Sequence, residues 1–401
     1  MLQYDFSTAV LSKCNTLRKK YFDSPWKQKS HLIWWVFKRL FYRMPMYKPV
    51  SSSKIHILFN LDGGIGDIVL ALNFLKQFKS RIYSNNVIDI CVPLYLLDAV
   101  QRLCFQHSFI GQVHTPQSVG RQYDMVVHFV RVPVLIYVYH KKVEQDSFLA
   151  KWVDTIQSFN RFEGACMTAG SVGDALCEVY TKITGRNRLS QGDIGSLIHI
   201  TDEFVVYPQE KTLKILKKYG LSEGAFITVQ RGTGSADGLN DHSTRLWDLD
   251  KYYLLCHDLK KIWPDTVIVQ LGDKMCEKIK SADINLCGKT TFDELLVLLK
   301  TAKYHIDGEC GMVHLRHFLS GKPSVVLFGP TKKDFYAYTE NINIASDVCI
   351  GCEWVHENWR NWCLKSGNKP VCLQKISPQF VIQKIREYEY AKNKTVPISA
   401  G

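Results

Sequence analysis

Residues 54–79 read KIHILFNLDGGIGDIVLALNFLKQFK. Lys54–Asn60 (KIHILFN) is an almost unbroken apolar run, as expected of a strand buried on both faces of a parallel sheet. It passes through Leu61-Asp62-Gly63-Gly64-Ile65-Gly66 into Asp67–Lys79, where Ile68, Leu72 and Leu75 recur on one helical face. Strand, glycine turn and helix in this order open an α/β unit. The three glycines let backbone N–H groups approach a ligand, and the helix N-terminus favours negative charge. The dinucleotide fingerprint is excluded because Val69 stands where its third glycine would be. A P-loop is excluded because no Gly-Lys-Ser/Thr follows. What remains is Asp67, a carboxylate placed to take a proton from a hydroxyl; its alternative role is to cap the helix.

The same alternation continues outward. Asn86–Pro93 and Asp124–Val130 read as further strands of the first sheet. Near Pro208 the pattern restarts: helices over 211–219, 252–262 and 292–302 interleave with strands over 225–230, 266–271, 304–306 and 324–328. A last helix over 377–390 is long enough to cross back to the first unit. The expectation is two doubly wound units in tandem: residues 1–50 as an arm, 51–208 as the first domain, 209–376 as the second, and 377–401 as a crossover helix and tail. The cleft between two such units is the default active site.

The chain has 401 residues, 46% of them hydrophobic, with 51 Lys/Arg against 38 Asp/Glu and a net charge of +13. That composition excludes disordered and polytopic membrane classes and favours anionic partners. Residues 1–50 hold ten Lys/Arg against Asp5 and Asp23, which is eight of the thirteen net charges. Within them, residues 31–47 (HLIWWVFKRLFYRMPMY) interleave aromatics with cations. The stretch is shorter than the ~20 apolar residues of a membrane span and suits an anionic membrane face. A helix packed on the rest of the protein is the alternative. Nucleic acid is open from charge alone, and a basic nucleic-acid binder with a four-cysteine metal site is the rival reading. It is not the expected partner, because no helix-turn-helix, RNP or zinc-finger pattern supports it.

Thirteen cysteines, an odd number set mostly in apolar runs, fit a reducing cytoplasm. Four of them, Cys349, Cys352, Cys363 and Cys372, fall within 24 residues and could supply a tetrahedral site for a structural zinc or iron. Free or paired thiols are the other reading.

Two more loops carry chemistry. In residues 304–331 (YHIDGECGMVHLRHFLSGKPSVVLFGPT), Gly308-Glu309-Cys310-Gly311 leads a strand into a helix bearing His314, and the next strand ends in Gly329-Pro330-Thr331. Small residues and a helix N-terminus suit a diphosphate; His314 is a phosphate donor or a structural histidine. Residues 230–247 (QRGTGSADGLNDHSTRLW) end at Arg245, whose guanidinium would offset charge on a phosphate leaving group. Asp248-Leu249-Asp250 could hold a metal as a DxD triplet but reads better as helix-dipole acids.

Taken together, these loops resemble glycosyltransferase family 9, the heptosyltransferases of the lipopolysaccharide core and their autotransporter-modifying relatives. The resemblance rests on Glu309-Cys310-Gly311-Met312-Val313-His314, Gly321-Lys322-Pro323 and Leu327-Phe328-Gly329-Pro330-Thr331, with Gly66-Asp67 and Arg245-Leu246-Trp247. It implies a GT-B architecture with two Rossmann-like domains, the acceptor side first. It implies Asp67 as catalytic base and Gly64, Gly66, Thr233, Arg245, Asp273, Glu309, Gly311, Met312, His314 and Thr331 as donor-binding residues. It further implies inverting transfer without a catalytic metal, from a nucleotide sugar such as ADP-heptose to a glycolipid or oligosaccharide acceptor, at the inner face of the cytoplasmic membrane. Transfer to a protein hydroxyl is the alternative within the family. Glu309 stands where the family has aspartate, and Arg245 where it has lysine, which keeps charge and changes geometry.

Overall fold

The structure is a computed structural model. It describes residues 47–105, 107–129, 133–154, 207–231, 243–320, 322–349, 351–353, 358–367 and 369–395. Most of the basic arm and Thr233 therefore lie outside the described residues. Tyr47–Val50, counted with the arm in sequence, attach to the first unit: Lys48 pairs with Gln122, and Tyr47 packs on Tyr137. Among the described residues no helix is long and apolar enough to cross a membrane.

The first sheet has the order β3-β2-β1-β4-β5, with β1 at His56–Leu61, β2 at Val87–Cys91, β3 at Val113–His114, β4 at Met125–Phe129 and β5 at Pro133–Val138. All neighbours are parallel except β4 and β5, which are antiparallel. Three residues separate Phe129 from Pro133, far fewer than a parallel crossover needs, so the chain folds straight back. The apolar run of β1 is explained by its central place: Ile57, Leu58 and Phe59 are all fully buried. Asp124 anchors the sheet's edge, accepting from His56 N at 2.8 Å and Val50 N at 3.0 Å, with Lys142 Nζ at 2.8 Å to neutralise it.

The second sheet is wholly parallel, in the order β11-β10-β9-β6-β7-β8. Its strands are β6 (Phe226–Gln230), β7 (Val267–Leu271), β8 (Ile284–Asn285), β9 (Tyr304–Gly308), β10 (Ser324–Phe328) and β11 (Ile342–Ala345). The strand order reverses between β1 and β4 in one sheet and between β6 and β9 in the other. Ligands of open α/β sheets bind outside the carboxyl ends of strands at such points. β1 ends in the Asp67 turn; β6 leads towards Arg245; β9 ends in the Glu309 turn.

The main helices are α1 (Ile65–Arg81), α2 (Leu97–Cys104), α3 (Gln209–Lys218), α4 (Leu249–Ile262), α5 (Phe292–Thr301), α6 (Gly311–Ser320) and α7 (Pro378–Thr395). One apolar cluster runs from Phe59, Ile68, Leu72 and Leu75 of the first unit to Leu296, Leu315 and Phe318 of the second. The two units thus share a core where α1 meets α6. Helix α7, expected to cross back to the first unit, packs its Val381, Ile382 and Ile385 stripe into the second unit's own core beside α4 and β11. Tyr304 adds a hydrogen bond to Glu389 at 2.7 Å.

Candidate active site

The turn after β1 is built around Asp67. Helix α1 starts at Ile65, two residues before the expected start, with Gly64 as its N-cap. Gly64 N–H donates to Asp67 Oδ2 at 3.0 Å, closing the first turn. Gly63 takes φ +110°, and a Cβ there would lie 2.5 Å from Asp67 Oδ2. Glycine is required at Gly63 on both counts. Asp67 therefore caps its own helix while staying half-buried.

Gly66 is required for a different reason. A Cβ on it would fall 2.6 Å from the His314 ring and 3.1 Å from Gly311 Cα; one on Gly311 would fall 2.6 Å from Ile65 and 3.1 Å from Gly66 N. The glycine-rich starts of α1 and α6 touch each other, and this brings Asp67 beside the turn that follows β9.

That turn is wired through Glu309. Arg245 Nη2 donates to Glu309 Oε2 at 2.9 Å and also to the Glu309 carbonyl. Burial works against the Arg245 charge, but Glu309 first, then Glu353, hold its pKa above the ordinary value. On the other side His314 Nε2 lies 3.4 Å from Glu309 Oε1, and Nδ1 is 2.6 Å from the Tyr338 hydroxyl. Burial pushes the Tyr338 phenol well above its ordinary pKa, and the hydroxyl and Nδ1 share one hydrogen bond. Both ring nitrogens of His314 are directed at protein groups. In this arrangement the ring lies beside Glu309, within the turn where the sequence expects the donor.

Beneath the turn Asp307 is buried. Its Oδ1 accepts Gly308 N–H at 2.7 Å, its Oδ2 accepts the Cys310 thiol at 2.7 Å, and His305 Nε2 is 3.3 Å away. Burial pushes Asp307 upward and His305 downward from their usual ranges. Asp307, Tyr338 and Glu353 were missed in sequence. Asp307 had a signal, an acid ending an apolar strand; Tyr338 and Glu353 had none.

The other expected donor-side residues lie along the same sheet edge. Thr331 is buried after β10, with Gly329 packed on Leu373 and the Thr244 carbonyl. Asp273 follows β7, and its Oδ1 accepts Met275 N–H at 2.7 Å, closing its own turn. Met312 is partly buried against the shared core. Asp248 is the N-cap of α4 and Asp250 lies in its first turn, in keeping with the helix-dipole reading.

The four clustered cysteines come within electrostatic reach of one another. Burial raises Cys352, and Cys349 and Cys363 add to it; burial pushes Cys372 up to about 12, with Cys349 adding. Cys363 goes the other way: burial raises it, but the Ser366 hydroxyl and the N–H groups of Val371, Lys365 and Ser366 outweigh that and lower it. Among the described residues, however, no three Cys, His, Asp or Glu side chains gather closely enough to hold one ion. The closed tetrahedral set expected from spacing is not formed in this arrangement.

Comparison with known proteins adds to this geometry. Residues 251–358 match the family model of glycosyltransferase family 9 (heptosyltransferase). The matched stretch contains Asp273, the Glu309–His314 turn, Thr331, Cys349 and Cys352. Asp67 and Arg245 lie outside it. No curated protein matches the sequence. Among solved structures, the glycosyl transferase family 9 from Veillonella parvula DSM 2008 is 15% identical, with a TM-score of 0.54 over 86% of this chain and 100% of that one. ADP-heptose lps heptosyltransferase II of E. coli is 13% identical over 84% of this chain and 100% of that one, TM-score 0.49. The iron-containing dodecameric glycosyltransferase TibC of enterotoxigenic E. coli H10407 is 13% identical over 84% of this chain and 78% of that one, TM-score 0.49. With two Rossmann-like sheets of GT-B type and a second unit whose residues 251–358 match the family 9 model, the chain is a glycosyltransferase that over this stretch is similar to the heptosyltransferases.

Proposed function

We propose that the chain transfers a sugar, heptose from ADP-heptose, to a hydroxyl of a lipopolysaccharide-core-type acceptor with inversion at the anomeric carbon. The observation that supports this reading is the contact of Gly66 with Gly311, which joins the turn carrying Asp67 to the helix that follows the Glu309 turn. Asp67 takes the proton of the acceptor hydroxyl. The hydroxyl oxygen bonds to the anomeric carbon as that carbon's bond to the diphosphate breaks, and ADP departs from the opposite side. Arg245, the α6 N-terminus at Gly311 and Met312, and Thr331 neutralise the diphosphate as charge builds on it. Gly64 and Gly66 shape the base turn; Asp273 takes the nucleotide ribose. Proximity and fixed charge supply most of the acceleration, and no metal takes part in the chemical step.

The basic aromatic arm, residues 1–50, holds the enzyme at the inner, anionic face of the cytoplasmic membrane, where a lipid-linked acceptor is presented. A structural zinc or iron would be held by Cys349, Cys352, Cys363 and Cys372; the Ser366 hydroxyl and backbone N–H groups facing Cys363 favour its thiolate. Metal analysis of the purified protein tests this: one metal per chain is expected, and a metal-free, fully folded protein would contradict it. The donor is tested by a thermal-shift panel with ADP-heptose beside UDP- and GDP-sugars. Stabilisation by ADP-heptose above the others is expected, and a preference for a UDP- or GDP-sugar would overturn the donor assignment.

A further inference from the structure

The first unit exposes a few large apolar residues, and two of them are adjacent and beside the base. Leu94 is 67% exposed and Tyr95 56% exposed. They sit in a short 3-10 turn, Leu94–Leu96, just past the carboxyl end of β2, the strand next to β1. Tyr95 is also tethered: its hydroxyl donates to the Gly63 carbonyl at 3.1 Å. Gly63 is the residue packed against the Asp67 carboxylate. One glycine therefore links the phenol ring to the base.

An exposed tyrosine normally samples several rotamers. Here the hydroxyl is fixed to backbone, so the ring is held in place before any ligand arrives, which lowers the entropy cost of using it. A ring with an apolar face and an anchored polar tip is what the C–H face of a pyranose packs on. Helix α6 and the Glu309 network, assigned above to the donor, adjoin the base turn through the contact of Gly66 with Gly311. Tyr95 reaches the same turn from the first unit, through the Gly63 carbonyl.

We propose that Tyr95, flanked by Leu94, is the platform on which the acceptor's pyranose ring stacks while presenting its hydroxyl to Asp67. This rests on the glycosyl-transfer reading and deepens it: the acceptor is a glycan, and Tyr95 is a residue that binds it. Tyr83 supplies a matched control, being 53% exposed in the same unit but just before β2, at the amino-terminal edge of the sheet.

The test is steady-state transfer from ADP-heptose to a heptose-free core oligosaccharide, with donor affinity measured separately by calorimetry. In Tyr95→Ala the acceptor KM rises about tenfold while donor affinity stays within twofold. In Tyr95→Phe the ring remains without its tether, and the acceptor KM rises about two- to threefold. Tyr83→Ala changes neither quantity. An acceptor KM unaltered in Tyr95→Ala, or raised equally in Tyr83→Ala, overturns the platform while leaving the transferase reading intact. Donor binding with transfer only to a Ser/Thr peptide, insensitive to Tyr95, also overturns it. Absence of any nucleotide-sugar binding removes the broader reading and this one together.

Discussion

Two carboxylate-bearing turns face each other across the contact of α1 and α6, and they are held very differently. Glu309 is gripped from both sides: Arg245 bonds to one oxygen and to its carbonyl, and His314, itself fixed by Tyr338, faces the other. Asp67 sits half-buried at the start of its helix, where Gly64 N–H meets one carboxylate oxygen. A carboxylate tied into a buried ion pair resists protonation and serves as structure. A carboxylate at an open glycine turn can receive a proton and pass it on. On the proposed reading the gripped acid holds the site and the acid at the glycine turn does the chemistry, a distinction that residue type alone does not make.

The comparison can be broken most severely at Gly66. In Gly66→Val the new side chain would need the space of the His314 ring and Gly311 Cα, so the two turns must separate. Transfer should fall roughly 10⁴-fold, because positioning and charge stabilisation are lost together. Far-UV circular dichroism that stays native while transfer disappears would check it. Next comes Arg245→Ala, which strips Glu309 of its main partner and the diphosphate of a cation. Donor affinity, read by calorimetry, should weaken roughly 100-fold. Arg245→Lys should recover only part of it, since one ammonium cannot serve both Glu309 and a phosphate in the geometry of a guanidinium.

The smallest expected effect lies away from both turns and sharpens the contrast by supplying a purely structural acid. Glu294 forms a capping box with Thr291 at the start of α5, and it also receives Lys218 Nζ at 2.5 Å and Tyr219 Oη at 2.9 Å. Burial raises its pKa, but Lys218, the Thr291 N–H and Tyr219 outweigh that and hold it down to about 2. Its contribution is present above the ordinary glutamate range and lost as pH falls through about 2. Glu294→Gln should destabilise the protein by about 1–2 kcal/mol at neutral pH, with a shrinking difference from the parent as the pH of urea melts approaches 2. Transfer at neutral pH should be unchanged.

Much of the fold was legible because parallel strands buried on both faces leave continuous apolar runs, as in β1 and β10. Strands that are very short or open on a proline escaped. β3 and β8 are two residues long, and β5 begins with Pro133, which a sequence reading demotes. The site was legible where chemistry and turn coincide locally, as at Gly66-Asp67 and Glu309-Cys310-Gly311. It was illegible where partners are remote: Arg245 and Glu309 are 64 residues apart, and the Tyr338 hydroxyl meets His314 from 24 residues away. The cysteine spacing pointed to a closed metal set, yet spacing along a chain fixes neither the direction nor the distance of four thiols.

The central claim is that Asp67 does proton chemistry while the Glu309 network holds the donor. Asp67→Asn keeps the shape of the turn and removes only the base, so kcat and donor affinity measured on the same preparation separate the two roles. The account predicts a fall of roughly 10³ in kcat with donor affinity within twofold of the parent. Turnover that survives the substitution, or donor binding that fails with it, would contradict it.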